Sequence, residues 1–345
     1  MKPEPVQRRR TVKKRAEALV LRFRKLSRGQ QAVFLAALAL IIAGAAGLIL
    51  YDASLHSAGQ TAQELREVNT AAFDTPEAGA LVSAGPAEET QSPALPADVP
   101  EESPAPVYTF PAYMQTETVA PAARKPAALL PEIPYPGNPG KNIGSRFQAL
   151  RKKNADIVGW LKMGGMVDEA VVQRDNVFYL DHDTLGKQNI NGALFLDAGV
   201  SLNARPYTYI IYGHNMRAGA EFGSLRNYEN RSFYRSDPFI SFDTMYENGR
   251  YVVFSVGNVS LEEGGNHYVD FFAFLFNNAE ERRRAVDALT QASIYPALID
   301  VQPEDQLLLL VTCTAKDSER RVIAARRVRE DETESGLARI IAGGL

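Results

Sequence analysis

Cysteine is nearly missing from this chain: one stands in 345 residues, at position 313. A disulfide framework needs pairs, so that means of holding a small extracytoplasmic domain together is excluded. Histidine is almost as scarce, with four residues, and neither His182 nor His267 has a His or Cys neighbour at ligand spacing. No metal site and no cofactor are expected on that pattern. No internal repeat is visible. Positive charge is lacking where a nucleic-acid surface would need it. The total is −3, residues 1–29 hold eleven Lys/Arg against Glu4 and Glu17, and residues 52–144 hold twelve acids against four bases, which leaves about −4 for residues 145–345. The folded part is therefore a poor partner for nucleic acid.

What is present falls into four stretches. Residues 1–29 form a basic tail, read as cytoplasmic. Residues 30–51 include the charge-free run Gln31–Tyr51, about the length a helix needs to cross the hydrocarbon layer. It continues through Leu48-Ile49-Leu50, past the Ala-Gly small residues at which a signal peptide would be cut, so an uncleaved transmembrane helix is expected. The basic cluster before it places the N-terminus inside and the bulk of the chain outside a cell membrane. Residues 52–144 carry fourteen of the twenty prolines, with many Ala and Glu and few periodic apolar positions. Such a stretch cannot bury enough surface to offset its ordering entropy and reads as a disordered, acidic tether.

Order resumes at 145–345. A short amphipathic helix around Phe147 and Leu150 precedes many short β-type runs: 157–163, 167–173, 177–180, 193–197, 207–212, 251–259, 268–276, 307–313 and 322–328. One strong helical stretch, 279–292, lies among them. Many short strands with few helices predict a mainly β, closed or nearly closed barrel with flanking helices.

Cys313 ends the apolar run Leu307-Leu308-Leu309-Leu310-Val311-Thr312. It is either an incidental core thiol or a nucleophile, and a nucleophilic thiol needs a base or a cation beside it. His214 follows the apolar run Tyr207–Tyr212 and Gly213 and is expected at a strand end, over the barrel rim. Arg321 opens the run 322–328 across the polar loop after Cys313, so a hairpin would bring a guanidinium to the thiol.

These residues resemble a known family. Thr312-Cys313 followed by Arg321-Val322-Ile323, and Tyr212-Gly213-His214-Asn215-Met216 followed by Phe222, Leu225 and Tyr228, look like the signature of the sortases, class B among them. The resemblance covers about 145–330 and includes Val158-Gly159-Trp160-Leu161, Asp175-Asn176-Val177-Phe178-Tyr179-Leu180 and Gly192-Ala193-Leu194-Phe195-Leu196-Asp197. Helix 279–292 is similar to the extra helix that separates class B from class A. The family's Thr-Leu-x-Thr-Cys appears here with Leu309 at its first position.

The resemblance implies a closed eight-stranded barrel and a cysteine transpeptidase. Cys313 would attack the carbonyl of a threonine in a C-terminal sorting motif of a surface protein, giving a thioester. His214 would act as acid and base, and Arg321 with the backbone N–H of Thr314 would stabilise the oxyanion. Asn176, Val311 and Thr312 would lie in the substrate groove. The acceptor would be an amine of a cell-wall peptide or of a pilin-like subunit. Two rivals remain on the residues alone: a cysteine peptidase that releases the acyl group to water, and a membrane-tethered binding module with an inert thiol.

Overall fold

The apolar runs become the staves of one barrel. The computed structural model describes residues 28–73, 129–215 and 222–345. Strands β1 (Ile157–Met163), β2 (Val167–Val172), β3 (Phe195–Leu196), β4 (Thr208–Tyr212), β5 (Phe239–Thr244), β6 (Arg250–Ser260), β7 (Leu307–Cys313) and β8 (Glu319–Arg327) pair in the order β1-β2-β3-β4-β7-β8-β6-β5. β5 then pairs with β1, so the sheet has no open edge to template association. β4 and β7 run parallel, in register from Thr208↔Leu307 to Tyr212↔Val311, and the crossover between them carries β5 and β6.

Helices α1 (Arg28–Phe73), α2 (Ser145–Arg151), α3 (Arg231–Ser236), α4 (Ala279–Ala292) and α5 (Glu334–Gly344) complete the described elements. α4 starts where Asn278 Oδ1 accepts the amides of Glu280 at 3.1 Å and Glu281 at 3.2 Å, satisfying N–H groups that have no partner inside the helix. Its buried face is Arg282, Ala285, Leu289 and Ala292. Arg282 ties the helix to the start of β4 by donating to the Thr208 hydroxyl and the Tyr207 and Asp305 carbonyls. Where the helix lands on β6, Gly257 is required: a Cβ there would lie 2.2 Å from the Ala292 carbonyl oxygen.

Two expected strands are single 3₁₀ turns, and both have the same cause. In 177–180 the turn Phe178–Leu180 forms because Asp175 Oδ1 accepts the amides of Val177 at 2.8 Å and Phe178 at 2.6 Å. In 268–276 the turn Phe271–Phe274 follows Asp270, whose Oδ1 accepts the Phe272 amide at 3.0 Å. A carboxylate that captures amides two and three residues ahead bends the backbone away from a ladder. β5, α3 and α5 were not anticipated from the sequence pattern.

The described residues fall into two units, one ending at His56 and the other running from Ser57 to Leu345. Both ends of the expected 52–144 tether differ from an extended chain. Within the second unit, helix α1 continues to Phe73 with Leu65 and Thr61 buried. Lys153 pairs with its Glu64 at 2.8 Å, and its Arg66 donates to the Asp168 carbonyl at 2.8 Å. At the other end Tyr135 is buried, and Pro131 accepts from the Tyr207 hydroxyl at 2.8 Å. Residues 74–128 and the basic tail 1–27 lie outside the described residues. Among the described residues no helix is long and apolar enough to cross a membrane; most side chains of 30–51 lie outside that set.

Candidate active site

The parallel register of β4 and β7 brings two chemically active residues to the same rim. Beyond Tyr212↔Val311 the pairing continues: Gly213 N donates to the Val311 carbonyl at 3.2 Å and the Thr312 hydroxyl to the Gly213 carbonyl at 2.7 Å. The Asn215 side chain then donates from Nδ2 to the Cys313 carbonyl at 2.8 Å. His214, two residues past β4, and Cys313, the last residue of β7, thus stand at matching positions of the parallel ladder, where alternation sends both to the same side. Gly213 serves close packing, since a Cβ there would lie 2.5 Å from Leu194 Cδ2 and 2.9 Å from Phe222 Cδ2.

The hairpin β7–β8 sets two neighbouring arginines against the end of β7. Its register is Thr312↔Arg321 and Cys313↔Arg320. Directly opposed residues of an antiparallel pair project to one face, so Arg320 shares the side of the thiol and Arg321 the side of the Thr312 hydroxyl. Arg320 is buried, its Nη1 donating to the carbonyls of Asp317 at 2.8 Å and Glu319 at 2.7 Å. Arg321 instead forms an ion pair with Glu229, the last residue of the 3₁₀ helix Phe222–Glu229. Arg320 is thus the arginine paired with Cys313 in the ladder, and Arg321 the one paired with Glu229. The loop between the two strands is not a two-residue turn with a fixed register, so counting residues along it could not settle which arginine faces the thiol.

The electrostatics follow from burial. Desolvation pushes the Cys313 thiol above its ordinary range; Arg320 pulls it back and Asp317 adds to the rise. Desolvation pushes the His214 imidazolium below its ordinary value, opposed by its hydrogen bond to Leu180 and by Asp181. Both shifts disfavour charge, so a neutral thiol beside a neutral imidazole is the favoured resting pair. The consequence is measurable on the sole cysteine. Alkylation of Cys313 by iodoacetamide should still accelerate above the usual thiol range of about pH 8.5, whereas a rate already level at pH 7 would mean a resting thiolate.

The His214 ring is held from behind. Its Nε2 lies 2.7 Å from the Leu180 carbonyl oxygen, an atom that only accepts, so Nε2 carries the hydrogen and Nδ1 is the basic nitrogen of the neutral ring. Gly192, at φ +67°, sits so near that a Cβ would lie 2.9 Å from His214 Cδ2. Leu180 and Gly192 escape a reading that looks for reactive side chains, because one acts through its backbone and the other by having no side chain.

Of the groove residues expected, Asn176 is half-buried, its Oδ1 accepting the Ala198 amide at 2.9 Å and its Nδ2 facing Asp197 at 3.4 Å. Burial holds the Asp197 carboxyl above its ordinary range, opposed by the Gly199 amide, Tyr212 and Asn176. Val311 and Thr312 are buried. The Thr312 hydroxyl makes the bond that ties β7 to Gly213. Thr314 is half-buried, its hydroxyl bonded to the Lys316 backbone.

The sequence has similar counterparts among known proteins. Sortase B of Staphylococcus aureus is 26% identical over 192 residues, 54% of this chain and 76% of that protein. Sortase B of Listeria monocytogenes is 27% identical over 186 residues, 53% of this chain and 73% of that protein. These relatives support assigning the chain to the class B sortases. Its enzyme class is accordingly that of a cysteine transpeptidase. No protein-family model matches the chain. Among solved structures, a Bacillus anthracis protein similar to sortase B has a TM-score of 0.49 at 26% identity, over 59% of this chain and 90% of that chain. Staphylococcus aureus sortase B has a TM-score of 0.48 at 27% identity, over 54% and 87%.

Proposed function

We propose that this sortase is a membrane-anchored transpeptidase that cuts a C-terminal sorting motif after threonine and transfers the acyl group to an amine of the cell wall or of another protein subunit. The observation that supports this chemistry is the strand register, which pairs Cys313 with Arg320 and sets Tyr212, two residues before His214, against Val311, two residues before Cys313. A proton moves from Sγ to His214 Nδ1, and the thiolate adds to the threonine carbonyl carbon. Negative charge builds on the carbonyl oxygen, where the Arg320 guanidinium and the Thr314 N–H are the donors proposed. The C–N bond then breaks as the imidazolium returns its proton to the leaving amine, leaving a thioester on Cys313. The incoming amine gives a proton to His214 as it attacks the thioester, and the thiol is regenerated. No redox step and no cofactor are called for.

The location follows from the sequence. Residues 30–51 are the proposed span, residues 1–29 the cytoplasmic tail and the barrel the extracellular part, because the run is charge-free and follows eleven basic residues. Asn176 is kept as a groove residue, since its amide sits at the surface beside Asp197. The test is the fate of the acyl group. A sorting-motif peptide incubated with and without an amine acceptor should give mainly the amide product when the amine is present. Hydrolysis that is unchanged by the amine would make the protein a peptidase.

A further inference from the structure

The chemistry above asks that His214 keep one tautomer, and the carbonyl that fixes it belongs to a loop with an unusual support. After Leu180 the backbone turns back on itself: Asn189 N donates to the Asp181 carbonyl at 2.7 Å, Asp183 N to Lys187 at 2.8 Å and Gly192 N to Asn189 at 2.9 Å. At its centre Asp183 is almost wholly buried, 2% exposed. One carboxylate oxygen, Oδ1, accepts the amides of Leu185 at 2.9 Å and Lys187 at 3.0 Å. The other, Oδ2, accepts the hydroxyl of Thr61 at 3.0 Å, and Thr61 is 6% exposed. Thr61 lies on α1, outside the barrel strands, and this bond spans 122 positions of sequence. The helix is further docked by Lys153–Glu64 and by Arg66 on the Asp168 carbonyl.

Both ends of this loop lie at the imidazole: the Leu180 carbonyl bonds to it, and a Cβ on Gly192 would stand 2.9 Å from Cδ2. A shift of the loop therefore moves the acceptor of the Nε2 hydrogen. On the other side the loop is braced by Asn154, whose Nδ2 donates to the Thr184 carbonyl at 2.8 Å and to the Tyr179 hydroxyl at 2.8 Å. Thr61 supplies the hydroxyl donor seen on Asp183 Oδ2. Removing it leaves a buried carboxylate oxygen short of a donor, and the loop must move to find one.

We propose that Thr61 and Asp183 are positioning residues: the helix segment 57–73 docks on the loop 181–192 through them and so holds the His214 imidazole as its Nε2–H tautomer, with Nδ1 toward the thiol. The inference rests on the reading of His214 as the acid and base of the reaction. It makes the segment ahead of the proline-rich stretch part of the working enzyme.

The test uses the whole chain with Thr61→Val, Thr61→Ser and His214→Ala. Two readouts are taken: kcat and KM for a sorting-motif peptide with an amine acceptor, and the imidazole ¹⁵N shifts of His214, identified as the signals absent from His214→Ala. A ring displaced by about 1 Å costs up to about 10²-fold, so Thr61→Val should lower kcat by roughly tenfold at little-changed KM. Its His214 shifts should move from the pure Nε2–H pattern toward a mixture, and Thr61→Ser should restore both readouts. The ¹⁵N pattern is read on folded protein whatever its turnover. Unchanged ring shifts in Thr61→Val, or a fall in melting temperature with kcat intact, would overturn the proposal, as would failure of Thr61→Ser to restore the shifts. Turnover retained by His214→Ala would sink the acid–base reading instead, and the ring shifts of Thr61→Val would still decide whether the helix positions the imidazole.

Discussion

Cys313→Ala is expected to give neither thioester nor product, a loss of about 10⁴-fold or more in turnover. The chain has no second cysteine to take over, and the neighbouring hydroxyls are badly placed: Thr312 is buried and bonded to the Gly213 carbonyl, and Thr314 is bonded to the Lys316 backbone. The partial exposure of Cys313 at the strand end matters here, because a peptide carbonyl must reach Sγ. Intact-mass analysis after mixing with a sorting-motif peptide should show an acyl adduct on the wild type, on Cys313, and none on the variant. The substitution removes only a sulfur from the end of β7, so the melting temperature should hardly change. Turnover retained by Cys313→Ala would mean that the thiol is not the nucleophile.

Where the sequence pattern and the fold agree, the reason is local. β1, β7 and α4 were legible to the residue because a continuous apolar run and a capped amphipathic stretch leave no other way to bury the same side chains. The two false strands fail on the side chain just outside the pattern: Asp175 and Asp270 each turn an aromatic run into a 3₁₀ turn by capturing an amide ahead of it. β5 was hidden because Phe239–Thr244 gains its partners from β1 and β6, far away in sequence. The helical stretch 57–73 shows the same limit. Its few apolar positions suggested a tether, yet Leu65 and Thr61 find a ready-made surface on the barrel, and tertiary contact replaces the amphipathic pattern that an isolated helix would need. At the site, side chains with intrinsic reactivity were legible. The backbone acceptor at Leu180 and the register of the β7–β8 hairpin were not, since both depend on contacts made only in the folded barrel.

That register carries the second large expected effect. Arg320→Ala should lower kcat/KM by about 10²–10³, as loss of a charged donor at a developing oxyanion does, whereas Arg321→Ala should cost less than about threefold, because its ion pair with the half-exposed Glu229 is of the surface kind. A second readout separates charge from architecture. Arg320 opposes the burial that raises the Cys313 thiol, so its removal should push the thiol higher still and slow alkylation at neutral pH, while Arg321→Ala should leave the alkylation profile where it is. Arg320→Lys keeps a positive charge but not the planar fork that reaches the Asp317 and Glu319 carbonyls and that is proposed to donate to the substrate oxygen. It should therefore restore much of the alkylation rate and little of the turnover. If Arg321→Ala proves the more damaging variant, the face assignment at the end of β8 is wrong by one residue, and the guanidinium opposite Glu229 must swing to the thiol side when substrate binds.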